Sequence, residues 1–307
     1  MIPLAGAQAL NSPTAAALRA AAPWGGSAAA PAGARLWALE QGGQWHWLAG
    51  WSPLAFDSRV FGLALGRLAP LLHRAPWPAA EALAQGRTLL ASLAAQAREE
   101  GQACLVARLD SRDLLTGQAL EAVGGRLVDV GVEWELALAG LPAAAVPAGL
   151  ELRAWQAGEE EALAELCAAS FCDLGAYADR FAMDHRLRGG CPEMYRRWMA
   201  NSLTGQQADQ VLVLAKGKGP VGFITLRRSR AGAPGWVVLN AVHPAWRGHG
   251  LYNCLLAAGL TWLAEEGAAW ARVRTKVSQQ AVIRAWSRLG ASQVGAELTF
   301  HLWLDED

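Results

Sequence analysis

Residues 150 to 304 read as a fixed succession of elements, and that succession limits the fold more than any other property of the chain. Glu159–Ala169 carries acidic residues in its first turn, where the helix dipole favours them, and Glu193–Ser202 is opened by Pro192; both spell helices. Three strands are predicted next, at Val211–Ala215, Val221–Arg227 and Trp236–Val242, with turns at Gly217–Gly219 and Ala231–Gly235. A helix from Gly250 to Glu266, a strand at Trp270–Thr275, a helix at Ser278–Leu289 and a last strand at Glu297–Leu304 complete the run. The order α-α-β-β-β-α-β-α-β contains β-α-β-α-β. Parallel strands need a crossover, so the segment demands a mixed sheet of the α/β (α+β) class.

The region before it is organised more loosely. Residues 1–34 hold 14 Ala punctuated by Pro3, Pro13, Pro23 and Pro31, a low-complexity tail expected to be mobile. Residues 35–138 mix strands and helices. Strands are expected at Leu36–Glu40 and Trp45–Ala49, joined by a Gly42-Gly43 turn, and at Cys104–Ala107 and Val130–Leu138. Helices are expected at Ala79–Glu100 and Leu114–Val123. The Pro/Ala stretch at residues 139–149 is the best linker candidate, so residues 150–307 form the second domain.

Composition narrows the partners. The 27 basic and 27 acidic residues cancel, and neither half carries a strong charge, which argues against nucleic acid. No stretch approaches about 18 continuous apolar residues, so no membrane partner is expected. The N-terminus lacks the charge pattern of a secretory signal. Cys104, Cys167, Cys172, Cys191 and Cys254 are odd in number, with no CxxC pair, and are read as reduced thiols of a cytoplasmic protein. A zinc site from Cys167, Cys172, His185 and Cys191 fits no usual spacing, and no metal is expected.

The segment that carries chemistry is Trp236–Tyr252, WVVLNAVHPAWRGHGLY. A strand runs into a loop with Arg247, Gly248 and Gly250, and a helix follows at once. Backbone N–H groups at a helix start, with glycines allowing close approach, make a concave anion site suited to a phosphate or pyrophosphate. The motif is neither a Walker loop nor GxGxxG, and a plain strand-to-helix turn with an exposed Arg is the competing reading.

This segment resembles the acyl-coenzyme A loop of the GCN5-related N-acetyltransferases, whose pattern is Arg/Gln-x-x-Gly-x-Gly/Ala. Arg247 and Gly250 match the first and fourth positions, while Tyr252 stands at the sixth. Val242-His243-Pro244 matches the family's Val-x-Pro after the preceding strand. Downstream, Thr275, Gln279, Trp286 and Gly290 stand where the family shows Thr, Asn, Tyr and Gly. The resemblance covers residues 150–304. A narrower resemblance, carried by Phe56-Asp57-Ser58-Arg59-Val60-Phe61-Gly62, by Leu127–Leu138 and by Tyr195–Ser202, is to the TDP-fucosamine N-acetyltransferase-like group. It implies an incomplete acetyltransferase-like N-terminal half beside a complete catalytic one.

The resemblance implies an acetyl-coenzyme A-dependent N-acetyltransferase acting on a small amine, with a nucleotide-linked amino sugar as one acceptor class. Leu239, Ala241 and Val242 would bond the pantetheine arm. Arg247, Gly248, His249, Gly250, Leu251 and Tyr252 would hold the pyrophosphate, and Gln279 and Trp286 would steady the far end. Asn240 would order a water that deprotonates the amine. The usual proton-donating Tyr is Trp286 here, and indole N–H cannot act as a general acid. His301 on the last strand is then the first candidate acid and Tyr252 the second; solvent protonation of the thiolate is a further route. Two rivals remain at this stage: a non-catalytic acyl-coenzyme A sensor or assembly protein, and a protein N-acetyltransferase. A homodimer is left open. Trp47, Trp51 and Phe56 are read either as an acceptor pocket or as packing.

Overall fold

The structure, a computed structural model, describes residues 7–9, 34–41, 44–74, 80–141, 144–173, 178–217, 219–230 and 232–305. The expected Gly42-Gly43 turn lies outside these residues, as does the tail apart from Ala7–Ala9 and Ala34. The chain divides into two compact units: unit 1 is Met1–Val130 with Ala296–Asp307, and unit 2 is Gly131–Gly295.

Unit 1 contains β1 (Ala7–Ala9), β2 (Arg35–Gln41), β3 (Gln44–Pro53), α1 (Ala55–Phe61), β4 (Leu65–His73), α2 (Ala80–Glu99), β5 (Cys104–Asp110) and α3 (Leu114–Glu121). The chain then enters β6 (Arg126–Ala137), whose later residues belong to unit 2. The unit 1 sheet runs β1-β2-β3-β4-β5-β12, where β12 is the last strand of the chain (Ser292–Trp303). β4 and β5 are parallel with α2 between them in sequence, and β12 pairs antiparallel with β5 from Glu297↔Asp110 to Trp303↔Cys104. Its core gathers Trp47, Trp51, Leu68, Leu71, Leu89, Leu90, Leu93, Leu105, Phe300 and Leu302. Trp47 and Trp51 are therefore core side chains, 0% and 2% exposed, and do not line an acceptor pocket.

Unit 2 contains β7 (Glu151–Ala154), α4 (Glu160–Phe171), α5 (Arg180–Met183), α6 (Cys191–Leu203), β8 (Gln210–Lys216), β9 (Gly219–Arg227), β10 (Gly235–Val242), α7 (Leu251–Glu265), β11 (Trp270–Lys276) and α8 (Gln280–Arg288). Its sheet runs β7-β8-β9-β10-β11-β6, antiparallel except for the β10–β11 pair that α7 connects. Of the expected β-α-β-α-β run, β10-α7-β11-α8 lies in unit 2, while its last strand pairs in unit 1. Its core joins Ile224, Leu226, Val237 and Val273 of the sheet to Leu255, Leu260 and Leu263 of α7 and to Trp286 of α8. α7 lies close because Gly259 has no side chain; a Cβ there would stand 2.7 Å from Ile224 Cδ1.

The units part at Val130/Gly131 and at Gly295/Ala296, not at residues 139–149 as expected. Two strands explain the difference. Residues 131–137 of β6 pair with all of β11, so the last strand before the linker belongs to the sheet that follows it. The final strand, expected to close the second domain, pairs with β5 in the first.

Candidate functional site: an open strand pair and a glycine loop

The parallel strands of unit 2 pair only at Gly235↔Ala271, Trp236↔Arg272 and Val237↔Val273. β10 continues to Val242 and β11 to Lys276. Beyond Val237 the two strands keep their other partners: β11 stays on β6 as far as Lys276, and β10 stays on β9 as far as Val242. A gap therefore opens between them toward their C-terminal ends. A bulge in β10 lies where the gap begins, since Val237 faces Leu226 but Asn240 faces Ile224. The extra residue is accommodated by Thr225, which is fully buried and whose Oγ1 accepts from Leu239 N at 2.9 Å. Bulges of this kind re-aim a strand beside a site.

The ladder alternation decides which backbone groups face the gap. His243 N donates to Val221 O at 2.9 Å, which makes Val242↔Gly222 and Asn240↔Ile224 the pairs that exchange no bonds. The N–H and C=O groups of Asn240 and Val242 thus turn away from β9, toward the gap. The Asn240 side chain is half-buried, while Leu239 and Ala241 are buried on the other face.

β10 leads into a short 3-10 turn, Pro244–Trp246, then Arg247, Gly248, His249 and Gly250, and α7 begins at Leu251. Gly248 has φ 84° and Gly250 φ 74°, left-handed values that only glycine adopts without cost. A Cβ at either position would meet nothing within 4 Å, so glycine is there for backbone conformation and the loop faces open space. Gly250 is the N-cap residue and supplies no side-chain cap, which leaves first-turn N–H groups of α7 for another acceptor. Arg247 Nε donates to Val242 O at 3.3 Å and ties the loop to the strand end. The exposed His249 places Nδ1 3.0 Å from Arg247 O. The Lys216 ammonium sits 4.9 Å from the Trp246 ring centroid, a second cation beside the loop that sequence reading passed over.

Other expected site residues divide into two groups. Tyr252 and Trp286 meet: Trp286 Nε1 donates to the Tyr252 hydroxyl at 3.3 Å. Trp286 is completely buried, so it acts on the site through Tyr252 and not by facing a ligand itself. Burial pushes the Tyr252 phenol above its usual pKa, and the indole donor offsets this only in part. Leu251 is buried in the unit 2 core. Gln279 is buried at the start of α8, its N–H donating to Lys276 O at 3.0 Å. His301 lies on β12 opposite Val106, fully buried, in unit 1.

A further cluster stands where α4 and α6 pack together. Cys172, after α4, and Cys191, opening α6, form a disulfide with Cα atoms 5.8 Å apart. This corrects the reading of five reduced thiols; Cys104, Cys167 and Cys254 are free and buried. The packing of α4 against α6 brings together two residues 19 apart in sequence, a spacing no short cysteine motif reveals. The pairing also removes the cysteine argument for a reducing compartment. Within the clipped segment, Asp179 accepts from Phe181 N at 3.0 Å and interacts with the buried Tyr195 hydroxyl, whose pKa is raised by desolvation first and by that carboxylate second. Lys276 Nζ, at the end of β11, donates to Ala178 O at 2.5 Å. Among the described residues, no group of three or more His, Cys, Asp and Glu could hold a metal, and no helix is long and apolar enough to cross a membrane.

Residues 177–291 match the profile of the Acetyltransferase (GNAT) family. Among solved structures, the chain is similar to a GCN5-related N-acetyltransferase from Sphaerobacter thermophilus (TM-score 0.61, 16% identity, 89% of this chain and 81% of that one). It is similar also to a tandem GNAT protein from the clavulanic acid biosynthesis pathway (TM-score 0.54, 17% identity, 91% and 86% covered). A third is a GCN5-related N-acetyltransferase from Kribbella flavida (TM-score 0.52, 15% identity, 94% of each chain). No curated protein sequence matches the chain. These identities speak for the fold alone, and the profile match makes residues 177–291 similar to the acetyltransferase (GNAT) family, a family of acyl-transferring enzymes.

Proposed function

We propose that unit 2 transfers an acetyl group from acetyl-coenzyme A to the nitrogen of a small amine. The observation that carries this is the juxtaposition of an unpaired strand edge with a glycine loop at a helix start. The donor set fits the proposed co-substrate. The pantetheine arm is an extended chain of amides, and the edge of β10 offers the backbone groups of Asn240 and Val242 to it. The pyrophosphate is an anion, and the α7 start, Arg247 and Lys216 supply N–H groups and positive charge. Gln279, at the opening of α8, is the proposed contact for the far end of the bound molecule.

When bound, the thioester supplies an activated acetyl group: the amine nitrogen bonds the carbonyl carbon, the C–S bond breaks, the nitrogen loses a proton and the sulfur gains one. The residues around it have limited acid–base work. A backbone N–H on β10 aimed at the carbonyl oxygen stabilises the charge that develops there. Asn240, half-buried on its strand, is the proposed anchor for the water that takes the amine proton. Tyr252 holds its proton firmly because burial raises its pKa. It therefore serves as a hydrogen-bond donor to the departing sulfur, and a thiolate of pKa near 8.5 takes its proton from solvent. His301 has no part in this reading, because it is buried in unit 1.

The acceptor is a small amine, with a nucleotide-linked amino sugar as one class. Calorimetric titration with acetyl-coenzyme A and thiol release across an amine panel test the proposal. Saturable binding, weakened about 100-fold by Arg247→Glu, with thiol release for at least one amine is the expected result. Binding without thiol release would leave a non-catalytic acyl-coenzyme A sensor; release only with peptide substrates would leave a protein N-acetyltransferase; no binding overturns the proposal.

A further inference from the structure

Arg180 opens α5 and is only 8% exposed. Its Nε is shielded from solvent and has no hydrogen-bond partner. Among the described residues, no carboxylate is recorded within ion-pair distance of its guanidinium, and the Phe181 ring lies 4.1 Å from Cζ. The neighbouring carboxylate is engaged elsewhere, since Asp179 caps α5 and faces Tyr195. A guanidinium keeps its charge under all ordinary conditions and carries five N–H donors. Buried charges in native proteins are paired or bind a ligand, because an uncompensated one costs several kcal/mol. A nearly buried Arg whose Nε has no acceptor is thus a site prepared for an anion from outside.

The place of Arg180 in the chain suggests which anion. Ala178, two residues earlier, is held by the Lys276 ammonium at the C-terminal end of β11, the end at which β11 and β10 have parted. The Arg180 charge acts on Tyr195 of α6. The segment that carries Arg180 is thus tied to the parted end of β11, on a different element from the glycine loop.

We infer that Arg180 binds an anionic group of the amine acceptor, so that the substrate of unit 2 is an amine carrying a carboxylate or phosphate. The inference rests on the acyl-transfer reading above and deepens it. Arg180 acts as a specificity-determining residue: it pairs bidentately with the anion and leaves the amine nitrogen free to reach the thioester.

The test uses matched pairs of acceptors in a thiol-release assay: an amino acid against its amide, and an amino-sugar phosphate against the free amino sugar. The wild-type chain should favour the anionic member by about 30-fold or more in kcat/KM. Arg180→Met should collapse that preference through KM, with kcat for the anionic member within about twofold, and Arg180→Lys should restore part of it. The affinity for acetyl-coenzyme A should not move. Equal use of both members by the wild type, a preference that survives Arg180→Met, or a loss confined to acetyl-coenzyme A affinity overturns the inference while leaving acyl transfer standing. If no amine releases thiol, acyl transfer falls and a second measurement decides the anion site alone. Inorganic phosphate should then raise the Tm of the wild type more than that of Arg180→Met, whose glycine loop still takes an anion; equal responses overturn the site.

Discussion

In unit 1 the parallel strands β4 and β5 pair from Leu65↔Cys104 to Leu68↔Ala107 and then part, just as β10 and β11 part after Val237↔Val273 in unit 2. Both units have one helix between the parallel strands and another after them, with an antiparallel strand on the far side. What differs is the end of the gap. In unit 1, His73 at the end of β4 and Asp113 at the N-cap of α3 lie 3.0 Å apart, both buried, so a side-chain bond crosses from one parted strand to the helix after the other. Trp47 packs on His73 from the neighbouring strand. In unit 2 the matching strand end runs into Arg247–Gly250 and a helix start with spare N–H groups. One plan thus yields a sealed gap and an open one. The strand order makes the opening, and a few residues at its end decide whether it can receive a ligand.

The largest expected effect comes from breaking the seal. Asp113→Ala leaves His73 without its partner and Thr116 N without its cap, and should cost about 3 kcal/mol in denaturant unfolding. Acetyl-coenzyme A should still bind at one site per chain; a cost below about 1 kcal/mol, or a second site, breaks the comparison. Next comes the clip that only unit 2 possesses. Replacing Cys172 and Cys191 by Ser should cost about 3 kcal/mol, and reductant should lower the Tm of the wild type but not that of the double variant.

A smaller effect separates charge from closure within unit 2. Arg153 grips Glu159 through bonds of 3.0 and 2.6 Å and holds that carboxyl below the usual carboxylate range. Glu159→Gln should cost about 2 kcal/mol at neutral pH. A depressed folded pKa means the stabilisation is full above the unfolded value of about 4.3. It is lost as pH falls through the lower folded value, so unfolding curves of wild type and variant should converge in acid. Smallest is the glycine test. Gly250→Ala and Gly62→Ala put the same strain on left-handed residues, φ 74° and 65°, and each should cost about 1 kcal/mol. Only Gly250→Ala should weaken acetyl-coenzyme A binding; an equal effect of Gly62→Ala would mean that loop conformation is not what unit 1 lacks.

The alternation of periods made most elements readable. β8, β9, β10, α7, β11 and α8 fall within a few residues of where hydrophobic spacing and glycine punctuation put them. β4 was not readable, because Pro70 interrupts its apolar run and proline within a run speaks against a strand. The fold admits it at an irregularity: the β3–β4 register shifts between Ala49↔Leu71 and Trp51↔Leu68. The glycine loop was visible as a local pattern, since Gly248 and Gly250 act through their own backbones. The pairing of the strand that carries His301 was not readable, because position along the chain says nothing of which sheet a strand joins. Arg180, Lys216 and the cysteine pair were invisible for the converse reason. Each acquires meaning only from a neighbour distant in sequence, as Lys276 does from Ala178.

The closing strand of unit 1 also sets an order of events during synthesis. Residues 131–295 form unit 2 without interruption, whereas β5 must wait for β12, and its Cys104 for Trp303. Domains commonly fold in the order in which they leave the ribosome. Here the first unit to emerge is the last to finish, and until β12 arrives the Cys104–Asp110 edge stays bare, an unpaired row of N–H and C=O groups that invites intermolecular pairing. Long-range closure of this kind is slow. A nascent chain stalled just after unit 2 would therefore carry a finished second unit behind an unfinished, aggregation-prone first one.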